Sequence, residues 1–310
     1  MDQLIYLAKT IRISQWVKNI VVFAPIVFSG FLFVPGYLTR VIWAFALFCL
    51  LSSSVYVFND IIDAPQDREH PFKRLRPIAA GKISLAGAVF LFLLLSITSL
   101  LWGFLTSTFL FAVMLTYFVL NIFYSLWWKR IPILDVFVIA AGFVLRVYGG
   151  SFVVNVHMDV WFLLTVVSAS LFLAVGKRRS EMTLLTGAGL EAKKTRTTLT
   201  HYTPELLGAY TSMFANTTWL TYALFSFLHP AFQAEGKVLR LFSLLPRTLM
   251  AEKWLMVTVP VVIFGVMRYM QLIFERNQGE SPHKVLMSDR VLLGTVGLWG
   301  MMVITILYLA

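Results

Sequence analysis

Nine stretches of this chain are apolar and long enough to cross a membrane as helices, and they constrain its fold more than any other feature. They lie at approximately 19–36, 39–58, 84–104, 107–126, 134–153, 160–175, 206–229, 254–274 and 290–309. Charged residues make up only 13% of the chain, against about 25% in soluble domains. A soluble fold lacks the interior to bury this much apolar surface, so we predict an all-α, polytopic membrane protein.

The positive charges indicate how the chain is oriented. With the N-terminus in the cytoplasm, 19 of the 26 Lys and Arg residues fall in cytoplasmic segments, 5 fall on the opposite side and 2 lie within spans. This asymmetry predicts a membrane protein whose N-terminus and polar loops are cytoplasmic. It also explains the net charge of +11 without a nucleic-acid partner, and leaves membrane lipids and an anionic substrate as the expected partners.

Three aspartates follow the second apolar stretch with helical spacing. If that helix continues beyond residue 58, Asp60, Asp63 and Asp67 occupy positions i, i+3 and i+7 and share one face. Three like charges on one face repel one another and need a cation, and hard carboxylate oxygens suit Mg²⁺. Because Mg²⁺ shares its coordination shell with substrate phosphates, the spacing predicts a metal-dependent site for an anionic substrate.

Basic residues follow these aspartates directly along the chain. They are Arg68, Lys73, Arg74 and Arg76. Guanidinium groups bind phosphate through paired hydrogen bonds, so metal-holding carboxylates beside arginines indicate a diphosphate site. The alternative is an ordinary cytoplasmic loop that is basic for topology alone, which explains the basic residues but not the aspartates.

Further polar residues near the cytoplasmic ends of other spans are candidates for substrate binding. They are Gln15 and Lys18 at span one, Tyr124, Ser125 and Lys129 at span four, and Lys177 and Arg178 at span six. Interfacial anchoring explains each set as well, so both interpretations stay open. Arg146 lies within span five, where a charge is costly unless it is paired or wetted. It either faces an internal cavity and binds a lipid phosphate or stabilises the helix bundle.

Several of these stretches together resemble a known family. The run Asn59-Asp60-x-x-Asp63-x-x-x-Asp67 is similar to the first signature of the UbiA-type intramembrane prenyltransferases. Four longer stretches resemble the decaprenyl-phosphate phosphoribosyltransferase branch of that superfamily. They are residues 67–81, Gln15 to Asn19, Tyr124 to Arg130 and Ala140 to Arg146.

The resemblance implies a single UbiA-like domain over residues 1–310 in the inner membrane of a bacterium, with nine transmembrane helices around a central cavity. The segments 59–83 and 176–205 would form a polar cap over that cavity. The implied reaction moves 5-phosphoribosyl from phosphoribosyl diphosphate to a decaprenyl-like polyprenyl phosphate and releases diphosphate, for cell-envelope arabinan synthesis. The resemblance implies Mg²⁺ as cofactor and four catalytic, metal-holding residues, which are Asn59, Asp60, Asp63 and Asp67.

Two features of this sequence depart from the wider family. Pro65 lies inside the acidic motif and predicts a kink before Asp67. No aspartate occurs between 176 and 205, where aromatic prenyltransferases carry a second acidic motif. This absence argues against transfer of a polyprenyl group to an aromatic acceptor, which remains the alternative enzyme activity. An anionic-lipid transporter or flippase is the alternative of another class, and the oligomeric state is left open.

Overall fold

The computed structural model describes residues 2–69, 73–187, 201–229, 253–275, 285 and 288–308. Every regular element in these ranges is helical, which confirms the predicted all-α class. By its internal contacts the chain divides into two compact units. The first is Met1–His157 with Glu191–His201, and the second is Met158–Leu190 with Tyr202–Ala310. The single domain and its central cavity stay predictions.

The first unit is built around one long helix that carries the acidic motif. Its α-helices are α1 (Asp2–Thr10), α2 (Ala24–Phe28), α3 (Tyr37–Glu69), α4 (Leu85–Thr106), α5 (Thr108–Leu126) and α6 (Leu134–Val154). Short 3₁₀ segments occur at Ile13–Phe23, Lys73–Leu75 and Trp128–Arg130. Helix α3 packs against α4, α5, α6 and the first 3₁₀ segment. Their shared core contains the fully buried Phe48, Leu51 and Met114.

The second unit contains four long helices. They are α7 (Val160–Gly187), α8 (Pro204–Leu228), α9 (Val259–Glu275) and α10 (Arg290–Tyr308), with a 3₁₀ segment at Trp254–Thr258. Helix α7 packs along α8, and α9 packs against α10. Phe172, Leu272 and Leu292 are buried together where α7, α9 and α10 meet.

Seven helical segments in the described ranges are long and apolar enough to cross a membrane. They are Tyr37–Glu69, Leu85–Thr106, Thr108–Leu126, Leu134–Val154, Val160–Thr183, Trp254–Glu275 and Arg290–Tyr308. The protein is therefore a multi-pass membrane protein. Helical segments also occupy the places of the other two predicted spans, at Ile13–Phe28 and Pro204–Leu228, but neither is among the seven. The predicted count of nine is not confirmed.

The first predicted span, 19–36, is wrong in its bounds. A 3₁₀ segment precedes Pro25, and Pro25 itself lies in the first turn of α2. Proline is tolerated in a first turn because the N–H that it lacks would have no partner within the helix there. Helix α2 ends at Phe28. Gly30 and Gly36 then adopt positive φ angles of 79° and 84°, which turn the chain out of the helical path.

Two helices extend beyond the apolar stretches that predicted them. Helix α3 continues through Pro65 to Glu69, so residues 59–69 are helix rather than loop. Helix α7 continues to Gly187, well into the predicted loop 176–205, whose residues 188–200 lie outside the described part of the chain. Hydropathy marks where apolar composition ends, which need not be where a helix ends.

The length of α3 carries its acidic end beyond the apolar layer. Its 33 residues span about 50 Å, against a hydrocarbon thickness of about 30 Å. The apolar part fills the core of the first unit, and the last three turns hold Asn59 and the three aspartates. The position of the candidate site at the end of a membrane helix follows from this geometry.

Candidate active site

One face of α3 gathers the acidic residues that the sequence predicts. Asp60 and Asp67 are both only 3% exposed, whereas Asp63 is partly exposed. Asn59 donates from Nδ2 to Asp63 Oδ2 at 2.9 Å, which fixes the orientation of that carboxylate one turn along the helix. Because all four residues belong to one helix, their relative positions are set by the helix itself.

Two arginines neutralise the buried pair of aspartates. Arg76 Nη1 donates to Asp67 Oδ2 at 2.7 Å and to Asp60 Oδ1 at 3.1 Å, and so bridges them. Arg12 Nη2 donates to the same Asp60 oxygen. Without these cations, two buried carboxylates two turns apart on α3 would repel each other.

A lysine neutralises the third aspartate. Lys129 Nζ donates to Asp63 Oδ1 at 2.5 Å and approaches Asn59 Oδ1 at 3.4 Å. It lies in the 3₁₀ segment Trp128–Arg130, which follows α5. Lys129 was predicted to bind phosphate, and the structure places it directly on the acidic face.

A tyrosine one turn before the acidic motif contacts Arg12 and one further cation, Lys18. The guanidinium of Arg12 lies over the Tyr56 ring, 5.0 Å from its centroid, and the Lys18 side chain interacts with the Tyr56 hydroxyl. Lys18 is therefore close to the acidic face, and its role in substrate binding stays a prediction. Neighbouring Trp16 is held by a 3.0 Å hydrogen bond to Ser53 Oγ, which anchors this segment to α3.

The oxygen atoms on this face fit a hard divalent cation in their chemistry. Carboxylate and amide oxygens are the ligands that Mg²⁺ takes in proteins. Among the described residues, however, no three His, Cys, Asp or Glu side chains converge closely enough to hold a metal ion. The three aspartates are instead occupied by Arg12, Arg76 and Lys129. Metal binding here requires these ion pairs to rearrange.

The other predicted phosphate-binding residues differ in their surroundings. Arg68 is exposed and donates from Nε to the Ala79 carbonyl at 3.3 Å, and Arg74 is exposed as well. Lys73, Gln15 and Tyr124 are partly buried, and Ser125 is buried. All lie in the first unit, and their roles in substrate binding stay predictions.

Arg146 is buried in a polar cluster of its own. Its Nε donates to Asn19 Oδ1 at 2.7 Å, Nη1 to the Gly142 carbonyl at 2.8 Å and Nη2 to the Tyr117 hydroxyl at 2.8 Å. All three acceptors are uncharged. The arginine thereby ties α6 to α5 and to the first 3₁₀ segment, which favours the structural role over binding of a lipid phosphate.

Lys177 and Arg178 belong to the second unit. Both pair with Glu181 one turn along α7: Lys177 lies 3.6 Å from one carboxylate oxygen, and Arg178 donates to the other. Arg178 is buried, whereas Lys177 is partly exposed. A phosphate-binding role for either residue stays a prediction.

Sequence reasoning missed Arg12, which interacts directly with the acidic motif. The basic N-terminal segment predicts only an orientation in the membrane, and Arg12 lies 48 residues before Asp60. Its backbone adopts a left-handed conformation, with φ 53° and ψ 53°, at the junction between α1 and the first 3₁₀ segment. Nothing in the local sequence signals this conformation, because arginine seldom adopts it.

The chain is similar to known membrane enzymes over most of its length. The model of the UbiA prenyltransferase family matches residues 21–288. The decaprenyl-phosphate phosphoribosyltransferase of Corynebacterium glutamicum is 31% identical over 305 residues, covering 97% of this chain and 86% of that protein. The protein of that name from Mycolicibacterium smegmatis is 32% identical over 302 residues, covering 94% of this chain and 91% of that protein.

Solved structures share the fold. A UbiA homolog from Archaeoglobus fulgidus bound to GPP and Mg²⁺ superposes with a TM-score of 0.69 at 19% identity, covering 97% of this chain and 99% of that one. A UbiA homolog from Aeropyrum pernix K1, without ligand, gives a TM-score of 0.61 at 14% identity, covering 94% and 98%. The family match, together with the acidic motif on α3, assigns this chain: it belongs to the UbiA prenyltransferase family.

Proposed function

We propose that this protein transfers 5-phosphoribosyl from phosphoribosyl diphosphate to a polyprenyl phosphate and releases diphosphate. The observation that carries the proposal is the acidic face of α3, surrounded by basic side chains, in a chain about 31% identical to decaprenyl-phosphate phosphoribosyltransferases over nearly its full length. The product would serve as an arabinan precursor for the cell envelope. The soluble donor would approach from the cytoplasm, in keeping with the charge asymmetry of the loops.

The proposed transfer needs neutralisation of the charge on the leaving diphosphate, and it does not need a strong base. The acceptor phosphate is already an anion, so no side chain has to remove a proton from it. When bound, Mg²⁺ would neutralise charge on the leaving diphosphate. Asn59, Asp60 and Asp63 would hold the ion, with Asp67 in support. Arg68, Arg74, Arg76 and their basic neighbours would bind phosphate oxygens and position the donor.

The test is a reconstituted assay. Membrane vesicles containing the full-length protein receive Mg²⁺, polyprenyl phosphate and phosphoribosyl diphosphate labelled in the ribose. Labelled lipid is the expected product, and chelation of the metal should abolish it. Prenylation of an aromatic acid instead would support the alternative enzyme activity, and movement of intact lipid across the bilayer without labelling would support a transporter.

Two substitutions test the acidic face directly. Asp60→Asn and Asp63→Asn should each reduce turnover by a factor of about 10²–10³, the scale of losing one preorganised electrostatic group. Glu69→Gln is the matched control, because Glu69 lies on the same helix but is exposed. All three variants should elute as folded protein in detergent. Full activity in both aspartate variants would remove the assignment of this face as the active site.

A further inference from the structure

The ion pairs on the acidic face form an electrically balanced cluster. Three carboxylates, from Asp60, Asp63 and Asp67, face three positively charged side chains, from Arg12, Arg76 and Lys129. We call these six side chains the counter-ion cluster. With a formal charge of zero, it has no net attraction for a free divalent cation, which would have to displace protein cations and leave them without partners.

The two halves of the counter-ion cluster differ in what holds them. All three carboxylates project from one continuous helix, α3, and cannot move independently. All three cations come from connecting segments: Arg12 from the junction after α1, Arg76 from the turn after Lys73–Leu75, and Lys129 from a three-residue 3₁₀ segment. Connecting segments and long side chains rearrange far more readily than a packed helix. The cations are therefore the partners that can change position.

A diphosphate offers these cations a replacement partner. Its oxygens accept charge-assisted hydrogen bonds as carboxylates do, and arginine binds both groups in the same paired geometry. When these cations move to phosphate oxygens, carboxylate oxygens become available to the metal. Each buried charge then keeps a partner of opposite sign. Metal alone would leave the displaced cations without partners, and diphosphate alone would leave the aspartates without partners.

Arg12 shows the clearest sign of being held in place for such an exchange. A left-handed backbone is unfavourable for a non-glycine residue because its Cβ crowds the neighbouring carbonyl oxygen. Its guanidinium also rests on the Tyr56 ring, a contact that does not depend on Asp60 and can guide it between two anionic partners. Strained backbone of this kind concentrates where a side chain must be held in one functional position.

We propose that Arg12, Arg76 and Lys129 are exchangeable counter-ions, which pair with the aspartates when neither ligand is bound and transfer to diphosphate oxygens, so that metal and diphosphate bind together. This inference rests on the proposed function only in taking diphosphate as the anion. It assigns to Arg12 a diphosphate-binding role that the acidic motif alone does not indicate.

The test measures binding rather than turnover. Equilibrium dialysis of the full-length protein in detergent uses two probes: radiolabelled Mn²⁺ alone, and radiolabelled inorganic diphosphate in saturating Mg²⁺. The informative variant is Arg12→Asn, because asparagine tolerates the left-handed backbone and removes the charge. Mn²⁺ alone should bind about tenfold more tightly and diphosphate about tenfold more weakly, the scale of one charge-assisted hydrogen bond.

Three further variants test whether the shifts depend on the charge at this site rather than on the loss of any arginine or on misfolding. Arg12→Lys keeps the charge and should retain most of both wild-type affinities. Arg40→Asn is the matched control: it is an exposed arginine near a tyrosine ring at the opposite end of α3, and neither affinity should change. Lys129→Gln removes a cation from another segment and should repeat the opposite shifts even if Arg12→Asn does not fold.

The outcomes separate this inference from the proposed function. Opposite shifts in the two affinities support the exchange, because a merely structural arginine would weaken both. Shifts of the same sign, or no shift in either, overturn the exchange while leaving the proposed function intact. Failure of the wild-type protein to bind diphosphate in saturating Mg²⁺ would overturn both.

Discussion

Replacement of Arg146 by methionine distinguishes its two possible roles. Methionine keeps a long, flexible side chain but removes every hydrogen bond that the guanidinium donates. Asn19, Gly142 and Tyr117 would lose their donor in a part of the first unit where Arg146 is only 5% exposed. A structural arginine therefore predicts a loss of stability, whereas a phosphate-binding arginine predicts a loss of lipid affinity.

The magnitude follows from the three hydrogen bonds. Hydrogen bonds from a charged donor contribute about 1.5–3 kcal/mol each, so the gross loss is roughly 5–9 kcal/mol. Removing the buried charge recovers several kcal/mol of desolvation, since the acceptors are uncharged and offset that cost only in part. A net destabilisation of about 2–4 kcal/mol results. At ~2 °C per kcal/mol for a chain of this size, the thermal midpoint should fall by about 4–8 °C.

The assay is thermal unfolding of the purified protein in detergent, followed by initial rates against polyprenyl phosphate at a temperature where the variant is folded. Arg146→Lys should be nearly as destabilised, because one ammonium group cannot reach three acceptors in the geometry of a guanidinium. Arg40→Met, at an exposed arginine, should change stability by no more than about 0.5 kcal/mol. An unchanged midpoint in Arg146→Met, together with a raised KM for the lipid, would refute the structural role.

Two further substitutions test the packing of each unit by the same thermal measurement. Gly150→Ala should cost at least about 1–3 kcal/mol, because the new Cβ would lie 2.0 Å from the Val22 carbonyl oxygen, whereas Gly294→Ala meets open space and serves as its control. Asp289→Ala should cost about 0.5–2 kcal/mol, because Asp289 accepts a hydrogen bond from the Leu292 N–H and so caps the first turn of α10. A stable Gly150→Ala, or an Asp289→Ala that matches wild type, would contradict these contacts.

Adjacent small residues within an apolar stretch, Gly149 and Gly150, indicate a position where helices approach each other closely. The structure shows such an approach. A Cβ on Gly149 would lie 2.3 Å from the Phe48 ring, and one on Gly150 would meet the backbone at Val22. Because such contacts need only the absence of a side chain, glycine pairs within apolar stretches signal them locally.

The ends of the helices were less predictable than their positions. Apolar runs located the long helices because bilayer thickness imposes a minimum length on them. The positions where helices begin and end depend instead on other features. These are a proline in the first turn, as in α2, glycines with positive φ, as at Gly30, and polar side chains that pair with other segments, as at Asp67. Residues 59–69 are helical, and their three aspartates pair with side chains of other segments, which composition along the chain does not indicate.

The acidic half of the site was predictable and its basic half was not, for one physical reason. Asp60, Asp63 and Asp67 belong to one helix, so their common face follows from helical geometry alone. Their partners come from distant segments: Arg12 is 48 residues from Asp60, and Lys129 is 66 residues from Asp63. A single sequence does not indicate which residues of such distant segments contact each other. Arg76 was predicted to bind phosphate from its sequence neighbours, but its contacts with the aspartates are evident only in the folded structure.

The counter-ion cluster also bears on which donor the site selects. A prenyl diphosphate and phosphoribosyl diphosphate present the same diphosphate, so the exchange with Arg12, Arg76 and Lys129 serves either donor equally. Under the proposed function, discrimination depends on what only phosphoribosyl diphosphate carries, the ribose and its second phosphate in place of an apolar prenyl chain. We expect that second phosphate to bind basic side chains that do not pair with the aspartates. The exposed arginines Arg68 and Arg74, beside the acidic end of α3, meet that condition among the described residues. We therefore expect the aspartates to select a diphosphate, and the neighbouring arginines to select the donor that carries a further phosphate.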